Sequence, residues 1–120
     1  SADAQSAHGQ LRNAMAQHPD LVAGEGRACT RLMRAMNGKV AIKTGAEGYF
    51  IAILPEQRMG VALKIDDGAT RASECAIAQI LVKIGALDPN HPEALAFTNG
   101  PILNRRNIET GHLRAAPKLL

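Results

Sequence analysis

The chain has 120 residues and carries 14 Lys and Arg against 11 Asp and Glu, a net charge of +3, so it is sized for one domain. Its basic residues are scattered and accompanied by only one Tyr and two Phe, which excludes a base-stacking nucleic-acid surface. The longest apolar runs, 49–54 and 80–82, fall far short of the ~20 residues of a membrane span, so we predict a soluble, cytoplasmic domain without membrane contact.

The N-terminal third of the chain predicts two helices. Apolar residues recur at helical spacing over 6–17, and this helix ends before Pro19 because the residue that precedes a proline avoids the helical conformation. An irregular loop is predicted over 21–26, and a second helix over 27–36. That helix has one apolar stripe, and three basic residues are predicted to face solvent: Arg27, Arg31 and Arg34.

Three strands without an intervening helix are predicted next, over 39–44, 49–54 and 60–65. Their short connections make neighbouring strands antiparallel. The outer two strands alternate apolar and polar residues, whereas the middle strand is apolar on both faces. We therefore expect helices to cover both sides of the sheet.

The C-terminal half is predicted to hold one long helix and a tail. Apolar residues at helical spacing over 70–84, followed by Gly85, predict the helix. Beyond residue 87 the chain is rich in proline and asparagine, which predicts an extended tail over 88–120 with a short helix near 93–97. The predicted fold is α+β, an antiparallel sheet of about three to four strands with packed helices, and a core over 1–87.

Several polar residues are candidates for a functional site. Asp66 and Asp67 are either a carboxylate pair for acid–base catalysis or a turn that places negative charge at a helix start. Cys29 and Cys75 lie in apolar helical patterns, which predicts buried free thiols in a reducing compartment. No cofactor is predicted, and no metal site, because the four histidines lack paired ligand spacing. They are His8, His18, His91 and His112.

The strongest candidate site is the segment KTGAEG (43–48), at the end of the first predicted strand. Alternation places Lys43 on the strand face opposite Val40 and Ile42. Gly45 then lets the backbone approach a ligand closely. The alternative is that Lys43 is an edge charge that discourages aggregation and that the glycines only form a turn.

Five segments resemble the L-asparaginase II family of the rhizobial type. They are HPDLVAGEGR (18–27), CTRLMRA (29–35), KTGAEG (43–48), ALKIDDGATRA (62–72) and PILNRRN (101–107). The order of a Lys-Thr-Gly strand, two further strands and a long helix also resembles the C-terminal part of the serine β-lactamase and penicillin-binding-protein fold. In that fold the Lys-Thr-Gly strand borders the active site.

The resemblance implies hydrolysis of L-asparagine to L-aspartate and ammonia by a serine that a nearby lysine activates. Lys43 would be catalytic, and three residues would bind substrate: Thr44, Gly45 and Glu47. No Ser or Thr in the chain is followed by Lys three residues later. We therefore expect the C-terminal part of a longer amidohydrolase, inactive alone, whose partners are L-asparagine, the rest of the enzyme and a second copy.

Two other functions stay open. A non-catalytic α+β module that binds a partner through a sheet or helix face is compatible with the same elements. A β-lactam-acylating protein is disfavoured, because the segments that follow the Lys-Thr-Gly triplet match the asparaginase family instead.

Overall fold

The computed structural model describes residues 3–119. Five helices and five strands are found in this range. The helices are α1 (Ala7–Gln17), α2 (Pro19–Ala23), α3 (Ala28–Ala35), α4 (Thr70–Ile84) and α5 (Pro92–Thr98). The strands are β1 (Ala41–Thr44), β2 (Tyr49–Leu54), β3 (Met59–Lys64), β4 (Asn99–Leu103) and β5 (Glu109–Arg114).

The predicted α+β class is confirmed. Strands β1, β2 and β3 form an antiparallel sheet in that order, and β4 and β5 form a separate two-stranded antiparallel sheet. In the larger sheet Lys43 lies opposite Ile51 on β2, and Ile51 in turn lies opposite Ala62 on β3. Strand β1 is therefore an edge strand, with one side free of any strand partner within residues 3–119.

One face of this sheet forms the core. Phe50, Ala52 and Leu54 alternate along β2 on the buried face, where α3 packs on β1 and α4 packs on β2 and β3. Phe50 is fully buried, together with Ile77 and Leu81 of α4. Each such side chain stabilises the fold by about 1.5–3 kcal/mol through burial, so this face anchors the sheet to its helices.

The opposite face of the sheet is only partly covered: α1 packs on β1 at the Ala41–Ile53 end, so the expectation that helices would cover both sides is met at that end and not at the other. Tyr49 is 40% exposed and Ile53 is 39% exposed, although both belong to the middle strand. Helix α1 reaches this side only at one end, where Leu11 and Met15 line a pocket with Ile53. We call the surface formed by Lys43, Tyr49, Ile51, Ile53 and Ala62 the open face.

The predicted loop over 21–26 is partly helical, because α2 occupies Pro19–Ala23. Pro19 stands in the first turn, where its fixed φ suits a helix and its missing N–H costs nothing. The α1 boundary before His18 is confirmed. The buried hydroxyl of Thr30 contacts the carbonyl oxygens of Pro19 and Gly24 at 3.1 and 2.6 Å, which fixes α2 beside α3.

The tail predicted as extended beyond residue 87 instead folds into α5 and the β4–β5 hairpin. The short helix near 93–97 is confirmed as α5, which His91 begins by accepting a hydrogen bond from the Glu93 N–H at 3.1 Å. The turn between β4 and β5 was not predicted from the sequence. Asn104 is the residue that indicates this turn, because its side-chain oxygen accepts from the N–H groups of Arg106 and Ile108 at 2.8 and 3.1 Å.

No helix within residues 3–119 combines the length and the apolar character that crossing a bilayer requires.

The open face predicts self-association of the purified chain, because a contiguous apolar sheet surface is favourably removed from water by a second copy. Tyr49→Glu should weaken this association by roughly tenfold or more, since the loss of an aromatic side chain from an interface commonly costs ~2 kcal/mol. The new carboxylate lies opposite Lys64, so strand pairing is kept. Sedimentation velocity across a concentration series measures the effect.

Leu21→Glu is the matched control, because Leu21 is 82% exposed on α2 and lies outside the open face. This control should associate like the wild type. A wild-type chain that stays strictly monomeric at high concentration and binds no hydrophobic dye would contradict the prediction.

Candidate functional site

Thr44 turns its peptide groups toward the free side of β1. The Gly45 N–H donates to the Tyr49 carbonyl oxygen at 2.8 Å across the β1–β2 ladder. In an antiparallel pair alternate residues bond to the partner strand, so Lys43 and Gly45 face β2 and Thr44 faces away from it. Both the N–H and the C=O of Thr44 are thus available to groups at the free edge.

Lys43 reaches this free edge from the open face. Its side chain is partly buried beside Ile51, and its Nζ donates to the Thr44 carbonyl oxygen at 2.9 Å. This hydrogen bond fixes the ammonium at the end of β1, and Nζ has two further N–H groups that can donate. The predicted position of Lys43 on the sheet face is confirmed by the strand register.

Cys29 covers the other peptide group of Thr44. The Thr44 N–H donates to Cys29 Sγ at 3.3 Å, which joins the start of α3 to the edge strand. Burial raises the pKa of the Cys29 thiol, while the Thr44 N–H and the charges of Lys43 and Arg27 act in the opposite direction. The residue is only 1% exposed. The prediction of two free, buried thiols is confirmed for Cys29 and Cys75.

The turn after β1 is held in one conformation by its neighbours. Gly48 has φ +69, and a Cβ there would lie 3.0 Å from Ile65 Cβ and from the Gly68 carbonyl carbon. The Ile65 N–H donates to the Gly48 carbonyl oxygen at 3.1 Å. This contact packs the turn against the start of α4, so the glycine requirement here is steric as well as conformational.

Of the other predicted site residues, Thr44 contacts Lys43 through its carbonyl oxygen, whereas Gly45 and Glu47 lie on the turn that follows. The Thr44 hydroxyl is 3.4 Å from the carbonyl oxygens of both Gly45 and Tyr49. Gly45 and Glu47 are exposed. The Glu47 carboxylate forms no hydrogen bond or ion pair within residues 3–119, so the structure brings Thr44 and Gly45, but not Glu47, into contact at the edge.

Asp66 and Asp67 form the turn rather than a catalytic pair. Asp67 Oδ1 accepts from the Ala69 N–H at 2.8 Å, and its Oδ2 lies 3.4 Å from the Arg71 guanidinium. Gly68 has φ +71 between them and α4. Asp67 thus stabilises the turn that precedes α4, which agrees with the turn in the second of the two interpretations.

The three arginines of the second predicted helix have different environments. Arg34 is exposed and pairs with Glu25 at 2.7 Å, which lowers the pKa of that carboxyl. Arg31 is not simply solvated as predicted, because it pairs with Glu93 at 2.6 Å and stacks over the Phe97 ring at 4.5 Å. It thereby docks α5 on α3.

Arg27 is exposed at the N-cap of α3, and its guanidinium makes no hydrogen bond or ion pair within residues 3–119. Glu74 is a partly buried acid on α4. Burial raises its pKa, while the charges of Arg27 and Arg31 act to lower it. In the sequence, Glu74 is distinguished only as the single acidic residue of the helical stretch 70–84.

The comparison with protein families points to one family. The model described as L-asparaginase II matches residues 1–115 of the 120-residue chain. The matched range includes the KTGAEG turn, Cys29, Arg27 and Glu74. Among curated proteins none matches the chain.

Glu74→Gln should raise the melting temperature at pH 7, because it removes a carboxylate whose charged form is disfavoured by burial. A raised folded pKa means that the protonated form is the stabilising one, so wild-type stability is lost as the pH rises through that pKa. Below about pH 4, under the ordinary glutamate value of ~4.3, both proteins are neutral at this position and the difference should vanish. Thermal unfolding at the two pH values measures it.

Glu47→Gln is the matched control, since Glu47 is an exposed turn residue, and it should change the melting temperature little at either pH. A Glu74→Gln effect of the same size at both pH values would show that the charge of Glu74 is not the cause.

Proposed function

The chain belongs to the L-asparaginase II family, and from this premise we propose that it is the C-terminal part of an amidohydrolase that converts L-asparagine to L-aspartate and ammonia. The observation that supports this most is the position of Lys43. Its ammonium is fixed at the free end of an edge strand, on a face that α1 covers only at its other end.

The catalytic nucleophile lies outside this chain in our proposal. A serine there attacks the side-chain amide carbon of asparagine, and its proton passes to a neighbouring lysine. The C–N bond then breaks, and the nitrogen leaves as ammonia with the proton that the lysine returns. Water hydrolyses the resulting ester to aspartate and restores the serine. The sequence of the chain agrees with this arrangement, because it contains no Ser-x-x-Lys segment.

Lys43 supplies positive charge to this reaction. Its Nζ holds the Thr44 carbonyl oxygen with one bond and can direct a second N–H to the oxygen on which negative charge develops. A positioned donor of this kind is typically worth ~3–4 kcal/mol in the transition state. Because the ammonium is already oriented before substrate binds, it needs little reorganisation during the reaction.

The substrate-binding edge is proposed to be Thr44 and Gly45, with Glu47 at its margin. The Thr44 hydroxyl lies at the end of β1 next to the lysine, where it can donate to a substrate oxygen. Gly45 leaves the backbone uncovered on that side. We propose that Glu47, whose carboxylate is exposed, orients the substrate amine.

The other partners and the location are proposed on the same basis. The rest of the enzyme is expected to bring its serine to the Lys43 edge, and a second copy is expected to pack on the open face. Two free, buried thiols are typical of a protein kept in a reducing compartment. We therefore propose a cytoplasmic location.

A second candidate function is a non-catalytic interaction module. The open face is the specific observation that favours it, because apolar side chains on a middle strand are ordinarily covered by something. Adding the upstream serine segment separates the two candidates. A module gains no amidase activity from it, whereas an enzyme does.

The 120-residue chain alone should release no ammonia from L-asparagine. Lys43 supplies charge but no nucleophile, and no residue of the chain stands in a Ser-x-x-Lys arrangement. Ammonia release by the purified chain, compared with a mock purification from cells without it, is the measurement. Turnover that survives this comparison would contradict the assignment of the nucleophile to another segment.

In the whole enzyme, Lys43→Ala should lower kcat/KM for asparagine by roughly 10²–10³-fold, which corresponds to the loss of ~3–4 kcal/mol of transition-state stabilisation. The melting temperature should change little, because the side chain is only partly buried and its one hydrogen bond is to a backbone oxygen at the sheet edge. Steady-state kinetics and thermal unfolding test both parts.

Lys39→Ala is the internal control. Lys39 lies four residues earlier, roughly 13 Å along an extended chain, and its exposed ammonium pairs with Glu56 at 3.4 Å. This variant should be nearly silent. If both variants keep activity within a few-fold of the wild type, Lys43 is an edge charge; if Lys43→Ala chiefly unfolds the protein, its role is structural.

A further inference from the structure

A cavity of about 460 Å³ lies between α1 and the end of the β2–β3 ladder, where Arg12, Ile53, Arg58 and Met59 line it. A cavity of about 240 Å³ adjoins it, because both cavities have Arg12 and Ile53 in their walls. The second cavity extends the space along α1 to Leu11. We call the two cavities together the α1 groove, and their combined volume is that of a small-molecule site.

The α1 groove is separate from the KTGAEG turn. No residue of the segment 43–48 lines either cavity. Ile53 pairs with Ala41 at the start of β1, whereas Lys43 and Thr44 end this strand. A molecule bound in the groove therefore does not occupy the Lys43 edge.

The charged side chains of the α1 groove favour an anion. Arg12 and Arg58 line it together with His8, and no Asp or Glu occurs among the described residues of its walls. Arg12 is only 7% exposed, and its Nε and Nη2 donate to the Asn13 side-chain oxygen at 3.2 and 2.9 Å, which fixes its guanidinium. Because this cation is shielded from water, its charge is weakly screened within the groove.

Arg58 has a backbone conformation that an arginine does not favour. It ends the turn that begins at Pro55, whose carbonyl oxygen accepts from the Arg58 N–H at 3.1 Å, and it has φ 54. This left-handed region suits Gly or Asn, so an arginine there costs stability. Its exposed guanidinium makes no hydrogen bond or ion pair within residues 3–119. Such a local cost in the wall of a cavity is typical of a residue that serves binding.

Much of the remaining wall is apolar. Ile53 is 39% exposed, Met59 45% and Leu11 67%, and Met15 lines the same stretch of α1. A hydrocarbon chain that lies along these side chains removes their surface from water, which is favourable. A ligand with an acidic head and an apolar body therefore matches both parts of the groove.

We infer that the α1 groove binds a small carboxylate that carries a hydrocarbon chain, of the size of a medium-chain fatty acid. The carboxylate accepts from the planar N–H fork of Arg58 and lies within the field of Arg12. The chain lies along Ile53 toward Leu11. The inference goes beyond the proposed function, since no step of amide hydrolysis uses this groove.

Octanoate is the probe, and isothermal titration of the full 120-residue chain at neutral pH measures its affinity. Three further compounds each lack one feature. Octanol has the same chain without the charge, octylammonium has the opposite charge, and acetate has the head group without the chain. Octanoate should bind roughly tenfold or more tightly than each of them, because it alone satisfies both the arginine and the apolar wall.

Arg58→Gly separates binding from folding. It should weaken octanoate binding by roughly tenfold or more, yet keep or raise the melting temperature, because glycine adopts φ 54 without strain. Arg58→Lys should lose less affinity than Arg58→Gly, since it keeps the charge but not the fork. Met59→Ser should weaken octanoate binding by a few-fold, because it removes part of the apolar wall.

Arg106→Met is the matched control, since Arg106 is an exposed arginine of the β4–β5 turn that lines neither cavity, and it should bind octanoate like the wild type. The inference is overturned if octanol binds as tightly as octanoate, or if Arg58→Gly keeps the wild-type affinity. It is also overturned if Arg106→Met weakens binding as much as Arg58→Gly does, or if octanoate does not bind at all.

This result is independent of amidase activity. Lys43→Ala should bind octanoate like the wild type, because Lys43 lines neither cavity. If the whole enzyme releases no ammonia from asparagine while octanoate binds through Arg58, the proposed function fails and the α1 groove stands. If octanoate binding does not depend on Arg58, the groove fails whatever the activity.

Discussion

The edge of β1 depends on the two hydrogen bonds of the Thr44 peptide groups. Its N–H donates to Cys29 Sγ and its carbonyl oxygen accepts from Lys43 Nζ. The first bond joins the sheet edge to α3, and the second orients the lysine. Because Thr44 is the last residue of an edge strand, neither group has a strand partner within residues 3–119, and side chains satisfy both of them.

The helix that approaches this edge is positioned by contacts far from it. Thr30 fixes the start of α3 against α2, and the Arg31–Glu93 pair fixes the same helix against α5. The fully buried side chains of Phe50 and Leu32 belong to the core on which these helices pack. The position of Cys29 relative to β1 is therefore set by the core, while Lys43 remains on the uncovered side.

The distribution of charge gives the site its chemical character. Most basic groups near α3 are neutralised by acids, but Lys43 is held by a backbone oxygen and Arg27 is not held at all within residues 3–119. Glu74 adds one carboxylate that burial disfavours. The match to the L-asparaginase II family spans residues 1–115 and therefore includes all of these groups.

The sequence by itself determined the elements that depend on near neighbours. Alternation placed Lys43 on the face opposite Ile42, and helical spacing located α4, because side-chain direction follows from backbone period alone. The tertiary structure alone decided three other features. The Arg31–Glu93 pair spans 62 residues, the Thr44 N–H reaches Cys29 Sγ across 15 residues, and the open face depends on where α1 ends. Each is a consequence of chain topology, which no local pattern encodes.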